Sequence, residues 1–462
     1  MIETQGINIE GVLTAALKQV QVSKTASLVS ISEKINKVDR LSFFAAGKNL
    51  AKNRSFWSNA DQNVCFVGIG DSYTLKAERH SYDTVKAEWK KLMERTIIKR
   101  HDESANTGPI AIGGFPFDEE NETYQLWQGF EGSQFRIPEY MLTVDENGYF
   151  LTTNTWIDPH SNVGKLASVL HEERNMLLNP PPQRSEGVNP ILLKHEVDPG
   201  EWKNLVREVT DYIDNHSVEK IVLARELQVE LRKPCNITDV LRQLLTNQKN
   251  SYVFAWESEG ACFIGASPER LVQVKNNHLL STCLAGTAPR GKTTEDDKQM
   301  GQALLQDKKN REEHQIVVNM IRDAVLSCAH NVQIPEQPVI YPLQNLQHLY
   351  TPVRAELKHG YTLLDVVKKL HPTPALSGFP QNESLSFLRE HETLERGWYG
   401  APIGWFNRSF NGEFAVAIRS GLICDEKASL FAGCGVVKDS DPEMEYEETK
   451  IKFTPMLEAL GG

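Results

Sequence analysis

Hydrophobic residues follow helical spacing at two places in the first 100 positions. From Ile9 to Val20, and again from Val85 to Met93, they recur every three or four residues, which predicts two amphipathic helices. Short apolar runs predict strands, namely VCFVGIG, GPIAIGGFPF, FRIPEYMLTV and YFLTTNTWI. The turn DENG at 145–148 joins the last two of these runs as a hairpin.

The second half of the chain is richer in strands. Helices are predicted over 202–213, over roughly 295–329 as a long charged segment, and at the end of the chain. The predicted strands are KIVLARELQVEL at 220–231, SYVFAWES, ACFIGAS, RLVQV, LLSTCLAGT, PIGWF, EFAVAIRSGLI and SLFAGCGVV. Because strands and helices do not alternate strictly, the pattern favours an α+β fold with largely antiparallel sheets over a doubly wound sheet.

A proline-rich polar segment divides these two patterns. NPPPQRSEG at 179–187 has no hydrophobic periodicity and is predicted to be a linker. We therefore expect two regions, a first at 1–195 and a second at 196–462.

Composition and charge narrow the class of protein. The net charge of −11 argues against a nucleic-acid or anionic-membrane partner, and no apolar run approaches the roughly 20 residues of a membrane span. The beginning of the chain, MIETQGINIE, does not resemble a signal peptide. The seven cysteines include no C-x-x-C pair, which predicts buried thiols in a cytoplasmic protein and no zinc site.

One segment combines rigidity with apolar character. HPTPALSGFP at 371–380 has three prolines and no formal charge, so no regular element is expected to run through it. Loops on the surface are normally more polar. The segment is therefore either a turn that plugs the core or the wall of a ligand pocket.

A second segment matches a phosphate-binding pattern. Residues 286–293, GTAPRGKT, fit G-x-x-x-x-G-K-[ST] and follow a predicted strand, which would suggest an ATP-dependent enzyme. However, Pro289 removes one backbone N–H group that such a loop needs, and the surrounding sheet is predicted to be antiparallel.

Two charged residues lie at strand ends. Lys220 shares the inward face of its strand with Val222 and Ala224, so it is either a strand-end lysine with its amine in water or a base kept neutral. Glu269 follows Pro268 and is either a surface carboxylate or an acid held in its protonated form.

Two helices contribute further carboxylates. Glu313 extends the apolar stripe of Ile316 and Val317, and a carboxylate directed at a core needs a partner such as a metal ion. Glu448 and Lys452 are four residues apart, which in the simplest interpretation is a surface ion pair.

Two further polar residues suit a binding pocket. Arg419 ends the apolar run FAVAIR, where a forked guanidinium is suited to a substrate carboxylate. His348, in QHL, is either a hydrogen-bonded core histidine or a pocket contact. Taken singly, none of these residues favours function over structure.

Taken together and in order, these segments resemble the chorismate-utilising enzymes, which include anthranilate, aminodeoxychorismate, salicylate and isochorismate synthases. The likeness covers about 200–462, whereas residues 1–195 carry no motif and look like the family's variable N-terminal half. The segments that carry the likeness are KIVLAR, FIGASPERL, LAGTAPRG, the helix start at 307–314, QHL, HPTPALSGFP, YGAPIGW, AIRSGLI, AGCGVV and the final E-T-x-x-K.

The resemblance implies a fold, a cofactor and a substrate. The fold would be two packed antiparallel sheets with helices on the outside, to which both halves contribute, and chorismate would bind with Mg²⁺. Glu313 and Glu448 would hold Mg²⁺. Lys220 would be the general base and Glu269 the general acid. The residues implied to bind the substrate are Gly286, Thr287, His348, Arg419, Gly433, Gly435 and Lys452.

The segment at 371–380 refines this expectation. Its text resembles the isochorismate synthases, for which the nucleophile is water, and a leucine at position 376 beside Ala375 would leave an apolar wall next to the nucleophile. Chain length resembles the form that serves menaquinone synthesis. The alternatives are a siderophore-pathway isochorismate synthase, a salicylate synthase and, more remotely, an enzyme that uses Mg-ATP at residues 286–293. No glutamine amidotransferase subunit is expected, and the chain could be a monomer or a homodimer.

Overall fold

The computed structural model describes residues 8–100, 106–120, 125–181, 187, 189–343 and 346–462. The helices are α1 (Ile9–Ser23), α2 (Arg40–Asn49), α3 (Ser81–Glu94), α4 (Val163–Leu178), α5 (Pro199–Asn215), α6 (Ile237–Asn247), α7 (Thr294–Gln306), α8 (Lys308–Cys328), α9 (Leu363–Leu370), α10 (Gln381–His391) and α11 (Pro442–Leu460).

The strands of the first half are β1 (Ser27–Ile35), β2 (Arg54–Ser58), β3 (Cys65–Ile69), β4 (Tyr73–Ala77), β5 (Ile97–Arg100), β6 (Ile110–Gly114), β7 (Ser133–Ile137), β8 (Tyr140–Asp145), β9 (Gly148–Ile157) and β10 (Ile191–Glu196). Those of the second half are β11 (Lys220–Leu231), β12 (Tyr252–Ser258), β13 (Ala261–Ser267), β14 (Arg270–Lys275), β15 (His278–Pro289), β16 (Ala329–Gln333), β17 (Val339–Pro342), β18 (Leu346–Leu357), β19 (Gly378–Phe379), β20 (Pro402–Asn407), β21 (Gly412–Val416), β22 (Ser420–Cys424) and β23 (Lys427–Val436).

The described strands form two sheets, and strands from both halves of the chain enter each of them. The larger sheet has the order β10-β11-β23-β22-β13-β12-β2-β3-β8-β9-β1-β5, with β19 also paired to β11. The smaller sheet has the order β16-β18-β15-β14-β21-β20-β6-β7-β4, with β17 paired to β18. The β1–β5 pair is parallel, and the other pairs among the described residues are antiparallel. The predicted α+β class is confirmed.

An aromatic core lies between the two sheets. Trp57 and Phe263 of the larger sheet and Trp405 of the smaller one belong to the same buried cluster. Separate clusters bury the outer faces, with α1, α2, α4 and α6 against the larger sheet and α3, α8 and α9 against the smaller one. Because both faces of each sheet are covered, central strands such as β2, β3 and β20 are buried along their whole length.

Side-chain caps explain where several helices begin. Asn162, Asn236 and Asp441 each accept a backbone N–H group from the first turn of the following helix. Asp307 does the same for α8, accepting from Asn310 N at 2.7 Å, and this cap divides the single helix predicted over 295–329 into α7 and α8. The prediction of one helix there is wrong because the cap residue has extended backbone angles.

Two predicted strands are also divided, each where the chain passes between the sheets. FRIPEYMLTV breaks at Pro138, so that β7 lies in the smaller sheet and β8 in the larger. EFAVAIRSGLI breaks at 417–419, so that Arg419 lies in the connection between β21 and β22 and not in a strand. Arg419 has a φ of +52°, in the left-handed region, and this conformation ends regular pairing.

Other predictions concern the linker and membrane spans. Most of the predicted linker at 179–187 lies outside the described residues, and the division into 1–195 and 196–462 stays a prediction. Among the described helices, none combines the length and apolar character that crossing a bilayer requires.

Candidate active site

Lys220 is the first residue of β11, and its amine is held by a carboxylate of α8. Lys220 Nζ donates to Glu313 Oε1 at 2.5 Å, and the lysine side chain is 14% exposed. On the neighbouring strand β23, Gly435 pairs with Val222. A Cβ atom at Gly435 would lie 2.2 Å from Lys220 Cε, so only glycine leaves room for the lysine to cross this strand.

Glu269 and Arg419 come together because two adjacent chain segments pass from one sheet to the other. Glu269 lies between β13 of the larger sheet and β14 of the smaller, and Arg419 lies between β21 and β22. Glu269 O accepts from Val416 N at 3.0 Å, and Arg419 O accepts from Ala266 N at 3.1 Å. These two bonds hold the crossings side by side, with the Glu269 carboxyl group on one and the Arg419 guanidinium on the other.

Burial shifts the pKa values of both residues, and the charges of this corner of the fold oppose the shifts. Burial raises the pKa of the Glu269 carboxyl, the positive charges of Lys220, Arg419 and Lys452 oppose this, and the result is about 7. Burial lowers the pKa of Arg419, whereas Tyr399, Glu448 and Glu269 raise it. A carboxyl group with a pKa near neutrality can donate a proton at physiological pH.

Helix α11 contributes the cation that the final E-T-x-x-K motif predicts. Lys452 Nζ donates to Gly433 O at 2.8 Å and pairs with Glu448 Oε1 at 2.6 Å. The simple interpretation of Glu448 and Lys452 as an ion pair is therefore correct, but Lys452 also reaches β23.

Thr287 and His348 are direct partners on β15 and β18. Thr287 Oγ1 lies 3.0 Å from His348 Nδ1, and Gly286 forms a bulge with a φ of +76°. Burial lowers the pKa of His348, and the positive charges of Arg419 and Lys452 lower it further, to about 4. The imidazole is therefore neutral at pH 7 and suited to hydrogen bonding.

The segment at 371–380 packs against the strand that carries Lys220. Its residues Gly378 and Phe379 form β19 and pair with Ile221 and Lys220, and Ser377 O accepts from Val222 N at 3.1 Å. As expected, no regular element runs through the segment, and only the two residues of β19 extend the edge of β11. Leu376 is 6% exposed and belongs to the core, whereas Ala375 is half-buried.

The phosphate-loop alternative is wrong. Residues Gly286 to Pro289 belong to β15, which pairs with the antiparallel strand β18, so they do not form a loop before a helix. The Gly291 N–H group donates to Asp297 Oδ1 at 2.8 Å, and Arg290 pairs with the same carboxylate. An acidic side chain therefore lies where a phosphate would have to bind.

Three residues of this corner were missed from the sequence. Tyr399 lies over β23, since a Cβ atom at Gly433 would be 3.2 Å from its hydroxyl oxygen, and it interacts electrostatically with Arg419. Asn310 Oδ1 accepts from Thr287 N at 3.1 Å. Glu445 accepts from Ser440 Oγ at 2.7 Å, and burial together with Glu448 raises its pKa. The segment YGAPIGW contains Tyr399, but its tyrosine was given no role.

The carboxylates of α8 and α11 suit a magnesium ion. Glu313 and Glu448 are half-exposed and exposed, respectively, and the positive charge of Lys452 reaches both. No group of three potential metal-binding side chains occurs within the described residues. Mg²⁺ typically uses one or two protein carboxylates and completes its shell with water and substrate oxygens, so this donor set fits the ion.

Comparison with known proteins identifies the class. The family model described as "Chorismate binding enzyme" matches residues 15–461, and the chain belongs to that family. The isochorismate synthase MenF of Bacillus subtilis is 41% identical over 456 residues, covering 97% of this chain and 96% of the relative. The salicylate biosynthesis isochorismate synthase of Pseudomonas aeruginosa is 31% identical, covering 98% of this chain and 94% of the relative.

Solved structures support the fold. MenF, the menaquinone-specific isochorismate synthase from Escherichia coli, aligns with a TM-score of 0.78 at 22% identity, over 97% of this chain and 99% of its own. Anthranilate synthase component I from Streptococcus pneumoniae aligns with a TM-score of 0.71 at 23% identity, over 85% of this chain and 92% of its own. The predicted pair of packed sheets with helices outside is therefore confirmed.

Proposed function

We propose that this protein is an isochorismate synthase, which converts chorismate to isochorismate by adding water and releasing the ring hydroxyl. The observation that carries the proposal is the 41% identity, over almost the whole chain, to the isochorismate synthase MenF of Bacillus subtilis. The charged groups of the described corner support the proposal, since they include a lysine, a carboxyl group with a raised pKa and further cations.

Arg419 and Lys452 are the cations we assign to the substrate. Chorismate carries two carboxylates, and a guanidinium and an ammonium on opposite elements can each bind one. Arg419 lies in the connection between the sheets, and Lys452 reaches β23 from α11. We place the ring against Thr287 and the neutral His348, with Tyr399 near Arg419.

Lys220 is the base we assign to the attacking water. The amine accepts a proton only in its neutral form, so the ammonium that pairs with Glu313 must first lose a proton to solvent and then present its lone pair to the attacking water. The apolar Leu376 and the half-buried Ala375 lie on the segment that pairs with Lys220. Neither side chain has a polar group that could hold ammonia, which favours water as the nucleophile.

Glu269 is the acid we assign to the departing hydroxyl. Its pKa of about 7 keeps a large fraction of the carboxyl protonated at neutral pH, and its proton leaves with the hydroxyl as water. One water enters and one leaves, so the reaction is an isomerisation. A proton must afterwards return from Lys220 to Glu269 through solvent.

Magnesium is the cofactor we assign to Glu313 and Glu448. When bound, the ion would supply positive charge for a substrate carboxylate and fix its orientation. Each carboxylate is paired with a lysine, Glu313 with Lys220 and Glu448 with Lys452, and the ion would compete with these pairs.

We assign the reaction to menaquinone synthesis, because relatives named MenF are similar over most of the chain. The Pseudomonas aeruginosa relative supports a second candidate, in which the same reaction supplies salicylate synthesis. A cytoplasmic location, the absence of an amidotransferase subunit and the oligomeric state stay predictions.

Proton NMR of chorismate incubated with the protein and Mg²⁺ tests the activity. We expect new ring signals of isochorismate, which mass spectrometry alone would miss because the two compounds are isomers. Formation of pyruvate and an aromatic product would instead indicate a salicylate synthase. An unchanged spectrum with folded protein and Mg²⁺ would contradict the proposal.

A further inference from the structure

Strand β11 has a gap in its pairing, two residues after Lys220. On one side β11 pairs continuously with β23 from Ile221 to Glu230. On its other side β19 ends its pairing at Ile221, and β10 begins at Leu227. The backbone groups between these two neighbours have no partner strand and would need other hydrogen bonds.

Side chains fill this gap. Arg396 Nη2 donates to Val222 O at 2.6 Å, and Ala224 N donates to Glu392 Oε1 at 2.8 Å. Trp202 Nε1 donates to Ala224 O at 3.0 Å. An arginine, a glutamate and a tryptophan thus take the place of a strand beside the residues that follow Lys220.

The same arginine also holds the proline-rich segment. Arg396 Nη1 donates to Leu376 O at 2.8 Å, and its guanidinium lies 4.4 Å from the centre of the Phe117 ring. Glu392 pairs with Arg396 at 2.5 Å, and the two side chains are 5% and 4% exposed. One guanidinium therefore connects the Lys220 strand to the segment that carries Leu376.

We infer that Arg396, fixed by Glu392, is a positioning residue, which sets the distance between the Lys220 amine and the wall formed by Ala375 and Leu376. The inference rests on the proposed function for its catalytic consequence. A buried ion pair contributes little net stability compared with apolar residues of the same shape, so its geometric role is the stronger reason for its presence here. Lysine cannot replace it, because one ammonium group cannot span Val222 O and Leu376 O as the forked guanidinium does.

Arg396→Lys is the decisive variant. We expect kcat per folded molecule to fall by about tenfold or more, with KM for chorismate within about threefold of wild type, because substrate-binding residues are untouched. Glu392→Gln loses the second carboxylate oxygen, which accepts from Arg396 Nε, and leaves the buried guanidinium without its counter-charge, so it should lower kcat in the same direction as Arg396→Lys. Arg389→Lys is the matched control, since Arg389 pairs with Asp118 and Glu120.

Hydrogen exchange gives a readout that needs no catalysis. We expect the backbone amide of Ala224 to exchange at least about tenfold faster in Arg396→Lys than in Arg389→Lys. If Arg396→Lys does not fold, the neutral double variant Glu392→Gln/Arg396→Gln replaces it, with the same expected results, because it leaves no unpaired buried charge.

The outcomes separate the two proposals. If wild type does not convert chorismate, the proposed function fails, and the exchange of the Ala224 amide alone decides the positioning role. If wild type is active and the Arg396 variant keeps kcat within about twofold, the positioning role is overturned. Unchanged amide exchange would overturn it as well.

Discussion

At the scale of single residues, the carboxyl group of Glu269 is under two opposing influences. Burial raises its pKa, and Lys220, Arg419 and Lys452 lower it, which leaves a value of about 7 compared with 4.5 for an ordinary glutamate. A raised folded-state pKa stabilises the protein below pH 4.5, and that contribution is lost as the pH rises through 7.

Glu269→Gln should therefore be more thermostable than wild type at pH 8.5 and about equally stable at pH 4.5, because glutamine cannot ionise. Its kcat should fall by about 10²–10⁴, since it cannot donate the proton. Thermal unfolding at the two pH values, with the exposed Glu312→Gln as control, measures the first effect. Equal unfolding temperatures of wild type and Glu269→Gln at pH 8.5 would show that ionisation of the Glu269 carboxyl does not destabilise the folded protein.

Leu376 is predicted to help select water as the nucleophile. Leu376→Thr, alone or with a change at Ala375, should permit some amination of chorismate at high ammonium concentration, because a hydroxyl can hold ammonia where a methyl group cannot. Chromatography of the products gives the ratio of aminated to hydrated product. That ratio does not depend on how much enzyme is folded. Leu370→Thr, in the same core, is the control for damage to packing, and its product ratio should equal that of wild type. If wild type already aminates as readily as it hydrates, the idea of an apolar wall is wrong.

At the scale of elements, the site depends on strands that pass between the sheets and on close approaches along them. The β13–β14 and β21–β22 crossings bring Glu269 and Arg419 to the same corner. The β11–β23 pair gives Lys220 its path, because Gly435 lacks a side chain.

Gly435→Ala tests this path. The new methyl group would lie 2.2 Å from Lys220 Cε, so the lysine must move, and we expect kcat to fall by about tenfold or more. In a Lys220→Ala background the same change should cost almost nothing further, since the group it displaces is gone. Additive losses in the double variant would mean that Gly435 acts through the sheet and not through Lys220.

At the scale of the whole molecule, the proposed magnesium ligands come from two helices that are far apart in the sequence. Glu313 lies near the start of α8 and Glu448 in α11, and the shared influence of Lys452 shows that they face the same region. The proposed site therefore combines one carboxylate from each helix.

Glu448→Gln should weaken Mg²⁺ binding by at least about tenfold and remove Mg²⁺-dependent activity without loss of fold, because an amide is a much weaker ligand for this hard cation. Titration calorimetry with Mg²⁺ measures binding directly. Glu447→Gln is the matched control, since Glu447 is exposed and pairs with Lys450. Wild-type turnover that is unaffected by EDTA would exclude a magnesium requirement.

The sequence by itself determined the local elements and the family, and the structure decided how the residues meet. Hydrophobic periodicity located β11 at its observed bounds, and the ordered motifs identified most of the residues of the candidate active site. Both signals can be recognised in the sequence because they are local properties. The sequence did not show that EFAVAIRSGLI divides at Arg419, or that Glu392 and Arg396 replace a strand beside β11. Tyr399 was also missed, because its position near Arg419 arises only in the folded chain. Strand crossings, gaps in pairing and pKa shifts depend on neighbours far apart in the sequence, such as Val222 and Arg396, 174 residues apart, and only the folded chain brings these together.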